Sequence, residues 1–131
     1  MRIRSFSSLW TSLAAAALLS LALASTALAH GESKPRFGGI VKAAQEISFE
    51  LVPGASGGAQ VYLDDHGSLM PTKGITGKLT IVGKDGRKEA PLVAEGEKLT
   101  AKGANPVSGD RVVLVVVLPS QQTISVRYAI P

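Results

Sequence analysis

The amino-acid sequence predicts an all-β fold: an antiparallel β-sandwich of immunoglobulin-like type, with a small β-barrel as the alternative. Three observations lead there. Through most of the chain, apolar residues alternate with polar ones at a period of two, the pattern of a strand with one buried face. Gly, Pro and Asp-Gly recur at short intervals, so each apolar segment is strand length and ends in a turn. Helical periodicity is absent beyond the N-terminal leader.

Taken in order, Ile47, Phe49 and Leu51 alternate with Ser48 and Glu50, giving a strand with one apolar face. In the next segment Val61 and Leu63 share one side, and Tyr62 and Asp64 share the other. Leu79 and Ile81 continue the pattern up to Lys84-Asp85-Gly86-Arg87, a hairpin turn in which Gly tolerates positive φ. Residues 88–94 and Lys98–Lys102 follow as strands. Residues 112–118 are continuously apolar and β-branched, which predicts a central strand covered on both faces. The turn Leu118-Pro119-Ser120-Gln121-Gln122 leads into Thr123–Ala129, with Ile124, Val126 and Tyr128 facing inward. Seven or eight strands result. The glycine-rich stretch at 54–58 lacks the Lys and following helix of a phosphate cradle, and Gly74-Ile75-Thr76-Gly77-Lys78 runs into a strand, so neither supports nucleotide binding.

The N-terminus has the three regions of a secretory leader: basic Met1-Arg2-Ile3-Arg4, an apolar run at 13–24, and small residues ending in Ala27-Leu28-Ala29. The run is short for a bilayer span. The expectation is a signal peptide over residues 1–29, a single domain over residues 30–131, no membrane span after cleavage, and a periplasmic location. Cuts after Ala24 or Ala27 also satisfy the small-x-small rule. With the cut after Ala29, His30 becomes the N-terminus, followed by a polar lead, Gly31 to Arg36. The stretch from His30 to Phe37 is expected to be a tail with long reach.

Composition narrows the function classes. Two of the 14 basic residues, Arg2 and Arg4, lie in the leader, so half of the formal +4 charge belongs to it. No Lys/Arg run or aromatic-basic interleaving follows, and nucleic acid is not an expected partner. There is no cysteine, so stability must come from packing, and any metal must be held by nitrogen, oxygen or thioether ligands.

Only two histidines exist, His30 and His66. An N-terminal His30 would offer an α-amine and an imidazole to one ion. His66 lies in Tyr62-Leu63-Asp64-Asp65-His66-Gly67, a strand running into a turn. While the strand lasts, Asp64 shares a face with His66; once the turn has begun, Asp65 is the better-placed carboxylate. Three nitrogens and an oxygen suit Cu(II), with Zn(II) as competitor. Met70 is expected to pack beneath the loop. An enzyme is the least supported class: Ser56 and Ser68 sit in turns without an evident base, and Glu46, Glu50 and the two Asp residues read as solvated strand faces.

The stretches Lys34-Pro35-Arg36-Phe37-Gly38-Gly39-Ile40-Val41, Ile47-Ser48-Phe49-Glu50-Leu51-Val52, Val61-Tyr62-Leu63-Asp64-Asp65-His66-Gly67 and Lys73-Gly74-Ile75-Thr76-Gly77-Lys78-Leu79-Thr80 resemble a group of small exported proteins of Gram-negative bacteria. Related sequence accompanies heavy-metal efflux adaptor subunits. The resemblance implies a periplasmic β domain in copper or other heavy-metal handling, with such an adaptor or another periplasmic protein as partner. Members often carry His-Gly-Gly where this chain has Phe37-Gly38-Gly39. An N-terminal histidine on a small cysteine-free β domain also resembles, in arrangement, the CopC-like copper carriers. Two functions are therefore expected as alternatives: a Cu(II) carrier or buffer using His30, His66 and Asp64 or Asp65, or a metal-free module that binds an efflux component.

Overall fold

The structure is a computed structural model that describes residues 33–54 and 56–131. Among these residues every regular element is a β-strand: β1 (Ile40–Ala44), β2 (Ile47–Val52), β3 (Gly58–Asp65), β4 (Ser68–Leu69), β5 (Thr76–Gly83), β6 (Gly86–Glu95), β7 (Lys98–Lys102), β8 (Arg111–Val117) and β9 (Thr123–Ala129). The described residues form one compact unit. No helix among them is long and apolar enough to cross a membrane.

All pairings are antiparallel, and the strands run in the order β1-β2-β3-β7-β6-β5-β8-β9, with β4 added to the end of β3. Strand β6 joins the two halves of this sheet. Its first part pairs with β5, from Gly83↔Gly86 to Lys78↔Pro91, and its second with β7, from Leu92↔Ala101 to Glu95↔Lys98. Pro91, which carries no N–H, stands at the changeover. The sheet then rolls until β9 lies against β1. Tyr128 of β9 crosses this seam and donates its hydroxyl to the Phe49 carbonyl at 2.9 Å. Of the two all-β forms expected, the chain takes the small barrel, nearly closed.

The alternation read from the sequence turns one face of each strand inward. Phe49, Leu51, Val61, Leu63, Leu79, Leu99, Leu114 and Val116 are fully buried and belong to a single core shared by both halves. Met70 packs against its margin, as expected. Strand β8 differs from expectation. Val112, Leu114 and Val116 are buried, but Val113, Val115 and Val117 are only half-buried. A barrel strand has one interior face, and β-branched residues also suit a half-covered outer pleat. Strands β1 and β4 were not expected: Ile40-Val41-Lys42-Ala43-Ala44 offers no clear alternation, and β4 has two residues.

Candidate metal-binding turn and its N-terminal strap

Register places two polar rows on the outer face of β1-β2-β3. Val41, Glu50 and Tyr62 form one, and Ala43, Ser48 and Asp64 the other. Residues 33–39 are laid across these rows as a strap, not as the free tail expected from composition. Its anchor is Glu50, whose carboxylate accepts the backbone N–H groups of Arg36 at 2.9 Å, Phe37 at 2.8 Å and Gly39 at 2.9 Å. Glu50 is only 6% exposed, so its reading as a solvated strand face is corrected. The partners that bury it lie more than ten residues upstream, beyond the reach of strand periodicity.

Three further contacts hold the strap. The Phe37 ring stacks on Tyr62, with centroids 3.7 Å apart and planes 13° from parallel. Arg36 pairs with Asp64 at 2.9 Å and also donates to the Gly67 carbonyl. Ser33 and Ser48 share a hydroxyl hydrogen bond of 3.1 Å. Gly39 makes this approach possible, because a Cβ there would overlap the Leu51 carbonyl oxygen. Gly38 turns the chain with φ +74, and a Cβ there would touch nothing. The Phe-Gly-Gly triplet is thus a stacking ring, a turn and a close approach in sequence, a signal legible only with Tyr62 in view. Between strap and sheet lies a cavity of ≈ 310 Å³, lined by Lys34, Arg36, Ser48, Tyr62, Asp64 and Leu69 among others.

Strand β3 ends at Asp65, and the hairpin to β4 is a two-residue loop of His66 and Gly67. Both have positive φ, 50 and 94, the combination of a type I′ turn, and His is among the residues that tolerate this region. The turn holds the His66 side chain out, 75% exposed. Strand alternation sends Asp64 towards the strap, where one oxygen accepts Gly67 N–H at 2.6 Å and the other meets Arg36. Asp65 is on the exposed side, and its Oδ1 lies 2.5 Å from His66 Nδ1. Asp65, not Asp64, is therefore the carboxylate against the imidazole. The hydrogen bond and charge of Asp65, with smaller contributions from Glu46 and Asp64, raise the His66 pKa above its ordinary 6.5. Glu46, in the β1–β2 turn, faces the same end of the barrel, a neighbourhood that strand periodicity could not reveal.

Of the four residues expected to hold a metal, the structure brings together His66 and Asp65, keeps Asp64 beside them under the strap, and leaves His30 outside the described residues. Among the described residues no three His, Asp or Glu side chains converge as a cation site. At the β1–β9 seam, burial, with a further push from Glu50, raises the Tyr128 pKa; its phenol is a neutral donor closing the barrel. No family, curated protein or solved structure matches this chain.

Proposed function

We propose that this protein is exported, cleaved after Ala29, and acts in the periplasm as a Cu(II) carrier or buffer in heavy-metal handling. The ion is held by the α-amine and imidazole of His30 and by the imidazole of His66, with the Asp64–Asp65 pair supplying negative charge beside it. The observation that carries this reading is the course of the strap. Ser33 is fastened to Ser48, whose cross-strand neighbour is Asp64, and Arg36 is fastened to the turn that carries His66. Three extended residues span at most roughly 10 Å, so a terminus at His30 starts from a short tether beside this turn. A short tether keeps the effective concentration of its ligands high. Among divalent ions a nitrogen-rich set favours Cu(II) over Zn(II).

The decisive experiment is intact mass of the protein recovered from periplasm, followed by Cu(II) titration of the same sample. The expected result is a mass beginning at His30 and one tight copper equivalent, lost in His30→Ala. A mass beginning at Ser25, Leu28 or Met1, or a correct start without tight copper, refutes the reading. Protons compete for the same nitrogens, and the α-amine ordinarily titrates near 7.7 to 8.0. Affinity is therefore expected to fall steeply below about pH 6; an isotherm unchanged between about pH 5 and pH 7.5 also rules out this ligand set.

The alternative, a module that binds a heavy-metal efflux adaptor without metal, is favoured by one observation. The first half of β6 pairs with β5 on one side, and among the described residues no strand pairs with its other side. Such an edge accepts an added strand. Recovery of an efflux component from periplasm by the His30→Ala, His66→Ala double variant supports this reading over the first.

A further inference from the structure

We infer that the free edge of β6 is a docking edge for an extended, acidic segment of a partner polypeptide, with Lys88 selecting a carboxylate on the residue directly opposite it. The inference rests on and deepens the alternative reading, a strand added to β6, and is independent of the Cu(II) reading.

The ladders fix which backbone groups are on offer. Two-residue hairpin loops close β6 at both ends, with Gly86 paired to Gly83 and Glu95 to Lys98. In an antiparallel ladder alternate residues bond the partner strand. Gly86, Lys88 and Ala90 therefore bond β5, and Arg87 and Glu89 turn their N–H and C=O groups to the side that β7 takes only from Leu92 onward. Pro91 stands between, an outward position with no N–H to leave unpaired.

Side chains alternate in the same way. Arg87 and Glu89 lie on the outer face, bonded to each other, with Lys78 also on Glu89. Lys88 faces inward opposite Ile81, and its Nζ reaches across to the Gly103 carbonyl at 2.7 Å. Beneath it, between the β5–β6 hairpin and the loop that follows β7, is a cavity of ≈ 510 Å³ lined by Ile81, Lys84, Lys88, Asn105, Val107 and Asp110 among others. Of the two carboxylates on its walls, Asp85 sits at the exposed hairpin tip and Asp110 caps the Val107 N–H at 2.9 Å. Lys84 and Lys88 pair with no carboxylate among the described residues.

An antiparallel strand laid along this edge sets one residue opposite Lys88 as a non-hydrogen-bonded pair, the closest side-chain approach in such a sheet, and on the inward face. Gly86 and Ala90, the neighbours of Lys88 on that face, leave room for it. An aspartate or glutamate there meets two cations that lack carboxylate partners; a lysine or arginine meets repulsion. The same rule disfavours a second copy of this chain. Antiparallel pairing of two β6 edges about Lys88 sets lysine against lysine, about Glu89 carboxylate against carboxylate, and about Arg87 guanidinium against guanidinium. The Arg87–Glu89 contacts that the first of these would make are already made within the strand.

The test is amide NMR of the intact protein titrated with capped synthetic peptides of alternating threonine and valine that differ only at the central residue: glutamate, glutamine or lysine. The glutamate peptide is expected to shift the amides of Arg87 and Glu89 and slow their hydrogen exchange, while those of Lys88 and Ala90 keep the protection that β5 already gives them. It is expected to bind roughly 10-fold tighter than the lysine peptide at low salt, with the gap narrowing as salt rises. Lys88→Gln is expected to abolish the preference and Lys88→Arg to keep it, both with the spectrum of the rest of the barrel unchanged. Equal binding of the three peptides at these amides overturns selection by Lys88 and leaves strand docking standing. Absence of protection at Arg87 and Glu89 with every peptide overturns the docking edge itself; recovery of an efflux component then decides the alternative reading separately. Protection of these two amides without peptide, growing with protein concentration and accompanied by a dimer mass in ultracentrifugation, makes a second copy the occupant and overturns the acidic-segment inference.

Discussion

Two carboxylates on neighbouring strands of one sheet, Glu50 and Asp65, have opposite fates. Glu50 lies under the strap, 6% exposed, and its oxygens gather three backbone N–H groups. Asp65 lies at a strand end, its side chain 56% exposed, with one oxygen on His66. A buried carboxylate surrounded by donors is saturated and can only hold the chain in place. An exposed one with a single partner adds little to stability and fixes only the neighbouring ring it touches. The contrast shows that burial and partner number, not residue type, decide which carboxylate holds the chain in place in this protein.

The largest test of that contrast is Glu50→Ala. It removes the carboxylate that three N–H groups share and frees the strap, and is expected to cost on the order of 3 kcal/mol in urea unfolding. A cost below about 1 kcal/mol would mean the strap is held by the Phe37–Tyr62 stack and not by the carboxylate. Gly39→Ala comes next: the added methyl group meets the Leu51 carbonyl, and about 2 kcal/mol is expected from the resulting displacement. Asp64→Ala removes the Gly67 cap and the half-exposed Arg36 pair, for roughly 1 kcal/mol by the same measurement. His66→Asn keeps a side chain suited to positive φ, so stability is expected to change by less than about 0.5 kcal/mol. Tight copper binding is nevertheless expected to disappear, and its persistence would move the site away from this turn.

The smallest effect is on pH dependence. The folded pKa of His66 is raised, so the folded chain holds that proton to higher pH than the unfolded chain. The pair with Asp65 therefore adds stability that is fully present below about pH 6.5 and disappears as pH rises through the folded pKa. Asp65→Asn is expected to lower the His66 pKa towards its ordinary value in an NMR titration and to flatten this small slope. A His66 pKa unmoved by that substitution would show that Glu46 and Asp64, not Asp65, set the field.

Most of the barrel was legible because alternation is a local signal. Strand β7, Lys98–Lys102, and strand β9, Thr123–Ala129, match their expected bounds, and the inward faces of β2, β3 and β9 are those that alternation assigns. What was not legible depends on sequence-distant partners. Glu50 looked solvated because nothing within its own strand reveals that residues 36–39 fold over it. The role of Phe37 needed Tyr62, and Arg36 needed Gly67. The choice between Asp64 and Asp65 turned on one residue of strand length, since a turn beginning at His66 reverses which carboxylate faces the ring.

The hydroxyl of Tyr128 meets the backbone of a residue 79 positions earlier. The barrel is therefore closed by the last of the described strands, β9, upon the second, β2. Contacts this distant form late, after local hairpins have paired. A chain emerging N-terminus first cannot complete its core until β9 has followed, and until then β1 and β8 remain raw edges. Seam closure thus works as a check on chain length: a product cut short before residue 123 loses Ile124, Val126 and Tyr128 from the interior and exposes the valines of β8 to chaperones and proteases.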